Sequence, residues 1–84
     1  MKRIHIKYFA SIREALGTAQ EDHTTACDTL GQLRDELAAR NAASAQALSR
    51  GRAVRMALNQ VMSSDAQPLL EGCEVAFFPP VTGG

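Results

Sequence analysis

The stretch of the chain that decides the fold is Glu74-Val75-Ala76-Phe77-Phe78. Its last four residues are apolar on both faces of an extended backbone, which predicts a central strand of a sheet. Residues 2–9, near the other end of the chain, are apolar at positions 4, 6 and 8, a pattern typical of a strand with one buried face. We therefore expect the first and the last strand to lie side by side in the middle of one sheet.

The segments between these two strands carry helix and turn signals. Ser11-Ile12-Arg13-Glu14 has the form of a capping box, and Gly17 is a typical helix stop. Thr29 and Gln32 form a second capping box, behind which three leucines lie on one helical face. In the first half of the chain the patterns predict a short helix over 11–16, a weak edge strand over 20–27 and a main helix from Thr29 to about Arg40 that stops at Asn41. A helical segment over 42–47 is expected next. The second half should contain a strand over 54–58, a turn at Asn59-Gln60, a brief strand over 61–63 and a helical turn over 68–72.

This order of elements predicts one small α+β domain. We expect a β-grasp (ubiquitin-like) roll with a mixed sheet of four to five strands, one main helix covering its single buried face, and short helices. The domain would span residues 1–78, and residues 79–84 would form an extended C-terminal tail. A chain of 84 residues is long enough for one modest core and no second domain.

The composition argues against several classes of partner and location. Nine Lys and Arg balance nine Asp and Glu, so the chain has no net charge to attract nucleic acid or anionic lipid. No apolar run is long enough to cross a bilayer, and the alternating N-terminus is unlike a secretory signal. We therefore expect a cytoplasmic protein with no nucleic acid or membrane partner. Cys27 and Cys73 would be free thiols in that compartment.

Side chains offer little for catalysis. The chain has neither a phosphate-binding glycine loop nor a dinucleotide-binding motif, so we expect it to bind no cofactor. His5 and His23 have no carboxylate or cysteine at ligand spacing, which predicts solvated histidines and no metal site. Neither cysteine has a cationic neighbour in the sequence that would lower its pKa, so both are interpreted as structural.

The C-terminus is the unusual feature. Val81-Thr82-Gly83-Gly84 follows Pro79-Pro80, and two prolines cannot continue a central strand. The tail should project from the domain and reach about 20 Å when extended. Terminal glycines would let a bare carboxylate enter a narrow channel, whereas the plainer interpretation is a frayed end with glycines by accident. The first interpretation makes the carboxylate of Gly84 the reactive group, activated by another protein because this chain has no nucleotide site.

Residues 74–84 closely resemble the end of the MoaD family, the small subunits of molybdopterin synthase. The similarity is also found in Tyr8-Phe9-Ala10, Ile12-Arg13-Glu14, Leu58-Asn59-Gln60 and Pro68-Leu69. It implies a ubiquitin-like sulfur carrier whose terminal glycine is adenylated and then converted to a thiocarboxylate. The sulfur would be donated to cyclic pyranopterin monophosphate to form the dithiolene of molybdopterin.

The resemblance also implies partners and site residues. ATP would be used in trans by an E1-like (MoeB-like) adenylyltransferase, a separate protein would donate the sulfur, and a MoaE-like large subunit would receive the tail in a heterotetramer. Gly84 is then the reactive position and Gly83 its slender neighbour, and the partners would be contacted by Phe9, Arg13, Met62, Phe78, Pro79, Pro80, Val81 and Thr82. From the pattern alone Phe9 fits an interface or the underside of a loop equally well, and Met62 and Phe78 also fit the core.

Three other functions stay open on the sequence. A carrier of the same chemistry could serve another pathway, as in thiamine biosynthesis. A ubiquitin-like modifier would join its terminal carboxylate to lysines. A β-grasp interaction module would have an idle tail.

Overall fold

The last strand lies at the centre of the sheet in the computed structural model, which describes residues 1–80. Five strands form in this part of the chain, β1 Lys2–Tyr8, β2 Gln20–Thr25, β3 Arg55–Leu58, β4 Val61–Ser63 and β5 Glu74–Phe78. Their order across the sheet is β2-β1-β5-β3-β4. β5 pairs parallel with β1 and antiparallel with β3. The predicted central pair, the edge position of β2 and the mixed α+β sheet are therefore confirmed.

Three helices form within residues 1–80, α1 Ala10–Leu16, α2 Leu30–Ala38 and α3 Ala42–Leu48. The predicted leucines of α2, at positions 30, 33 and 37, are fully buried against Ile4, Ile6 and Val75 of the sheet core. However, Ile12 of α1 and Leu48 of α3 belong to the same core. The prediction that one main helix covers the sheet is thus incomplete, because a single nine-residue helix leaves part of the sheet face to its neighbours. In this part of the chain no helix is long and apolar enough to cross a membrane.

The start of α1 differs from the sequence prediction. Phe9, and not Ser11, is the N-cap, and no side chain caps the helix. The Phe9 carbonyl accepts hydrogen bonds from the N–H groups of Ile12 at 3.2 Å and Arg13 at 3.4 Å. Ala10, with φ of +51°, turns the chain one residue before Ser11, which therefore lies inside the first turn. The predicted capping box is wrong for this reason.

The caps of the other two helices largely follow the sequence. The Thr29 hydroxyl oxygen accepts from the Gln32 N–H, and the Gln32 side-chain oxygen accepts from the Asp28 N–H at 2.8 Å. α2 ends at Ala38, two residues before the predicted end. Asn41 caps α3 through its side-chain oxygen, which accepts from the Ser44 N–H at 2.8 Å. Because the Asn41 side chain caps a new helix in this way, the main helix cannot continue past that residue.

Two connections follow β3: a tight turn into β4, and a longer segment that leads from β4 to β5. Asn59 and Gln60 both have positive φ, +49° and +69°, as a two-residue hairpin turn requires, so the predicted turn is confirmed. The predicted helical turn over 68–72 is wrong. Pro68 forms an isolated β-bridge with Thr29, and the buried Leu69 donates its N–H to the Asp28 carbonyl at 2.8 Å. Burial of Leu69 in the core keeps the first two residues of this segment extended, and a turn then closes with the Cys73 N–H donating to the Leu70 carbonyl at 3.1 Å.

Two arginines hold the loop over residues 49–54, which leads into β3, and neither belongs to a recognisable sequence motif. Arg34 on α2 is only 6% exposed and donates to the carbonyls of Leu48 at 2.6 Å, Ser49 at 2.7 Å and Arg52 at 2.8 Å. Arg50 forms ion pairs with Asp35 at 2.9 Å and Asp65 at 2.6 Å. The loop is therefore tied both to the core and to the segment that follows β4.

Candidate functional site

The face of the sheet that carries no helix presents an aromatic pair at the end of β5. The Phe9 N–H donates to the Phe77 carbonyl at 3.1 Å, which extends the β1–β5 ladder one residue past Tyr8 and places Phe9 beside Phe78. The two rings meet edge to face with 6.4 Å between centroids. Phe9 is 45% exposed and Phe78 is partly exposed, and neither belongs to the core. The pair therefore lies on the surface, as an interface would require.

Met62 lies on the same face at the edge of the sheet. It pairs with Ala57, and Ala57 pairs in turn with Ala76 of β5, so small residues occupy the positions between Met62 and the centre of the sheet. Met62 is 54% exposed and the core interpretation of this residue is wrong. We call Phe9, Ala57, Met62, Ala76 and Phe78 the open-face patch. Phe9 and Met62 are its most exposed members, whereas Ala57 is only 6% exposed. Exposed apolar side chains grouped on one face are typical of a protein–protein interface.

Charged residues border the open-face patch. Lys7 pairs with Glu74 at 3.3 Å on this face. Arg55, opposite Phe78 in the β3–β5 ladder, and Arg13, one helical turn after Phe9, are both exposed and form no ion pair with any residue in 1–80. These arginines can pair with acidic groups of a partner. Polar borders around an apolar centre are the usual anatomy of such interfaces.

The base of the predicted tail starts next to the open-face patch. β5 ends at Phe78, and the partly exposed Pro79 and Pro80 follow directly. Val81, Thr82, Gly83 and Gly84 lie outside the described residues, so the predicted projection of the tail and the domain boundary at residue 78 stay predictions. The same holds for the partner roles assigned to Pro79 and Pro80.

Both histidines have carboxylate neighbours that the sequence spacing did not reveal. His5 Nδ1 lies 2.7 Å from Asp22 and its Nε2 lies 2.8 Å from Gln20, and these hydrogen bonds raise the pKa of the ring. His23 Nε2 lies 3.0 Å from Glu36. The partners come from other elements across the fold, which is why the prediction of isolated histidines is wrong. Within residues 1–80 no three His, Cys, Asp or Glu side chains are placed to hold a metal ion.

The cysteines do not join this or any other site in the described part of the chain. Cys73 is buried in the core and Cys27 packs against its margin, and both are free thiols. The sequence-predicted site is thus partly assembled. The structure brings Phe9 and Phe78 together, with Met62 on the same face and Arg13 nearby on α1.

Comparisons with known proteins identify relatives that match nearly the whole chain. The model of the ThiS family matches residues 6–84. The molybdopterin synthase sulfur carrier subunit of Escherichia coli (strain K12) is 42% identical over 81 residues, which cover 96% of this chain and 99% of that protein. The protein of the same name from Haemophilus influenzae (strain ATCC 51907 / DSM 11121 / KW20 / Rd) is 34% identical over 85 residues, with the same coverage of 96% and 99%.

Solved structures with this fold include two further proteins. The small archaeal modifier protein 1 of Haloferax volcanii has a TM-score of 0.77 at 22% identity, over 96% of this chain and all of that one. A chain in the complex of subunits 1 and 2 of the molybdopterin-converting factor from Helicobacter pylori 26695 has a TM-score of 0.67 at 22% identity, over 98% of this chain and 99% of that one. At these identities the structures establish the β-grasp fold. The near full-length match to the family model and to the curated relatives establishes more: the chain belongs to the ThiS family, and its curated relatives there are molybdopterin synthase sulfur carrier subunits.

Proposed function

We propose that this chain is the sulfur carrier subunit of a molybdopterin synthase. The observation that carries the proposal is the match of 42% identity to a sulfur carrier subunit over nearly the full length of both proteins. An apolar patch on the open sheet face, at the point where the last strand leads into the Gly-Gly motif, supports the same function. A carrier needs a docking surface close to its reactive group, and this arrangement supplies one.

The proposed chemistry takes place on the backbone carboxylate of Gly84. A carboxylate is a poor electrophile, so an E1-like adenylyltransferase first joins it to the AMP part of ATP and releases pyrophosphate. A donor protein then supplies sulfur at the sulfide level, which attacks the acyl adenylate, expels AMP and leaves a thiocarboxylate. The thiocarboxylate delivers its sulfur to cyclic pyranopterin monophosphate, and two deliveries complete the dithiolene. Gly83 keeps the approach to this group narrow, because it has no side chain.

The open-face patch is the proposed docking surface for the large subunit. Phe9, Phe78 and Met62 would be covered by apolar groups, and burial of aromatic side chains contributes much of the affinity of such interfaces. Arg13 would pair with an acidic group at the border. Val81 and Thr82, after the two prolines, would enter the large subunit together with the glycines. The catalytic side chains would belong to that subunit, and ATP would be bound only by the activating enzyme, all in the cytoplasm.

Intact-mass spectrometry tests the carrier function directly. The purified chain is incubated with an E1-like adenylyltransferase, ATP and a sulfur donor. We expect the mass to rise by the difference between sulfur and oxygen, with the change confined to the C-terminal peptide. Addition of the large subunit and the pterin precursor should return the chain to its starting mass as product forms.

The other three functions predict different outcomes of this experiment. Conjugates of high mass in a lysate would favour a protein modifier, and an unaltered carboxylate would favour an interaction module. A thiocarboxylate that persists with the large subunit and the precursor, but is consumed in thiazole synthesis, would assign the carrier to a thiamine-type pathway. The likeness to the archaeal modifier protein concerns the fold and does not favour the modifier function.

A further inference from the structure

A concave surface lies on the helical side of the molecule. A groove of about 390 Å³ opens between α1 and α3, close to the base of the tail. Six of the residues that line it are Ile12, Ala15, Ala47, Arg52, Ala53 and Pro79, and the other two are uncharged and polar. Small apolar side chains dominate this lining, so the groove can accept apolar groups from another molecule.

Among residues 1–80, the lining of the groove has a positive charge and no negative one. Arg52 is exposed and is the one charged residue in this part of the lining. Within residues 1–80 no carboxylate lies within ion-pair distance of the Arg52 guanidinium. Arg34, directly behind this loop, donates to three carbonyls rather than to a carboxylate. The charge of the groove is therefore complementary to an acidic group.

The backbone that carries Arg52 is fixed before anything binds. Its carbonyl accepts from Arg34 at 2.8 Å, and its N–H donates to the Ser49 carbonyl at 2.9 Å. Arg50 anchors the same loop through Asp35 and Asp65. A loop that is already ordered loses little conformational entropy on binding, which favours affinity.

The groove and the open-face patch are close along the chain at two points. Phe9 is the N-cap of α1, and Ile12 in the next turn lines the groove. Phe78 belongs to the patch, and Pro79, the next residue, lines the groove. A partner that covers the aromatic pair and holds the tail beyond Pro80 is therefore close to residues that line the groove.

We propose that the α1–α3 groove binds a partly apolar segment of the large synthase subunit that places an acidic side chain against Arg52. This inference rests on the proposed function, because that function supplies the partner. The open-face patch and the groove would then contact the partner on both sides of the point where the tail leaves the domain. Two contacts around the tail would fix its direction better than one.

The test compares three variants with the wild type for affinity to the large subunit, measured by calorimetry. Arg52→Glu reverses the charge in the groove, and Ala15→Trp fills it. Arg3→Glu is the matched control, because Arg3 is an exposed arginine outside the groove lining and lies at the start of β1, at the opposite end of the strand from Phe9 of the open-face patch. We expect the first two variants to weaken binding by about tenfold or more and the control to stay within about twofold. Thiocarboxylation by the activating enzyme, followed by mass, should proceed at the wild-type rate in all three.

The same experiments separate the inference from the proposed function. Wild-type chain that neither acquires sulfur nor binds the large subunit would refute the proposed function. If the wild-type chain acquires sulfur and binds the large subunit, and Arg52→Glu binds it with unchanged affinity, the proposed role of the groove is refuted and the proposed function stands. A loss of thiocarboxylation without a loss of large-subunit affinity would assign the groove to the activating enzyme and also overturn it.

A final comparison tests whether the chain's own tail occupies the groove. Arg52→Glu is introduced into a chain that ends at Pro80, and its effect on affinity is compared with the effect in the full chain. We expect the same fold-change in both, as for two independent contacts. An effect that disappears in the shortened chain would show that the groove acts through residues 81–84, and would overturn the proposal.

Discussion

The rings of Phe9 and Phe78 meet edge to face, with 6.4 Å between their centroids and an angle of 86° between their planes. Phe9 follows the first strand and Phe78 ends the last, so the parallel pairing of these two strands creates the contact. A partner that covers one of the rings therefore also meets the other, next to the base of the tail.

A charge at Phe78 should disrupt this surface. We expect Phe78→Asp to weaken binding to the large subunit by about tenfold or more, because the carboxylate would be desolvated at the contact without a partner. Calorimetry with the purified subunits measures this. Leu70→Asp is the matched control, since Leu70 is 54% exposed but lies outside the open-face patch. An affinity equal to that of the wild type in Phe78→Asp would remove Phe78 from the interface.

The sequence predicts the sheet well because its signals are local. Alternating burial in β1, the apolar run of β5 and the Asn59-Gln60 turn each depend on neighbouring residues, and all three are confirmed. The predicted start of α1 is wrong because the capping-box pattern could not show that the pairing of the first strand continues through Phe9. The helical turn predicted for residues 68–72 is wrong because burial of Leu69, a tertiary contact, overrides the local helical preference.

Some residues of the candidate site could likewise be predicted from the sequence, and others could not. Phe9, Met62 and Phe78 could be named from the family resemblance, but only the strand order shows that they share one face. Arg34 and the groove beside Pro79 leave no sequence signal, since a buried arginine bound to carbonyls looks like any helical arginine. The pairs His5–Asp22 and His23–Glu36 join separate elements, so linear spacing could not reveal them.

The length of the tail should be critical for function and irrelevant for folding. We expect deletion of Gly84, or addition of one residue after it, to abolish product formation, because the carboxylate would no longer be at the position the partners require. Thermal unfolding should be unchanged, since the core consists of residues between Ile4 and Phe77. Synthesis of molybdopterin from the precursor, with the large subunit present, is the measurement. Product from the deletion variant would contradict the role of Gly84.

Acid should weaken the fold partly through Glu21. Its carboxylate accepts from Arg40 at 2.9 and 3.0 Å and from the Tyr8 hydroxyl at 2.8 Å. The hydrogen bonds from Arg40 above all lower the pKa of Glu21 below its ordinary 4.5. A carboxyl group whose pKa is lower in the folded state stabilises the fold above the unfolded pKa, and this contribution is lost as the pH falls through the folded pKa.

Glu21→Gln should therefore differ most from the wild type near neutral pH. We expect the gap between their free energies of unfolding, measured by urea denaturation, to shrink as the pH falls from about 7 to about 3. Glu14→Gln, on the exposed surface of α1, is the control and should stay close to the wild type throughout. A gap that is constant over this range would show that Glu21 acts through packing and not through its charge.

Arg34 should be worth more to stability than any exposed arginine. Its guanidinium supplies the donors for the carbonyls of Leu48, Ser49 and Arg52, which lie in the last turn of α3 and in the loop that follows. Arg34→Met keeps the apolar stem and removes these donors, so we expect a loss of about 2–3 kcal/mol in the free energy of unfolding. Arg13→Met, at an exposed position, should stay within about 0.5 kcal/mol. Urea denaturation measures both, and equal midpoints for Arg34→Met and the wild type would show that water replaces the guanidinium without cost.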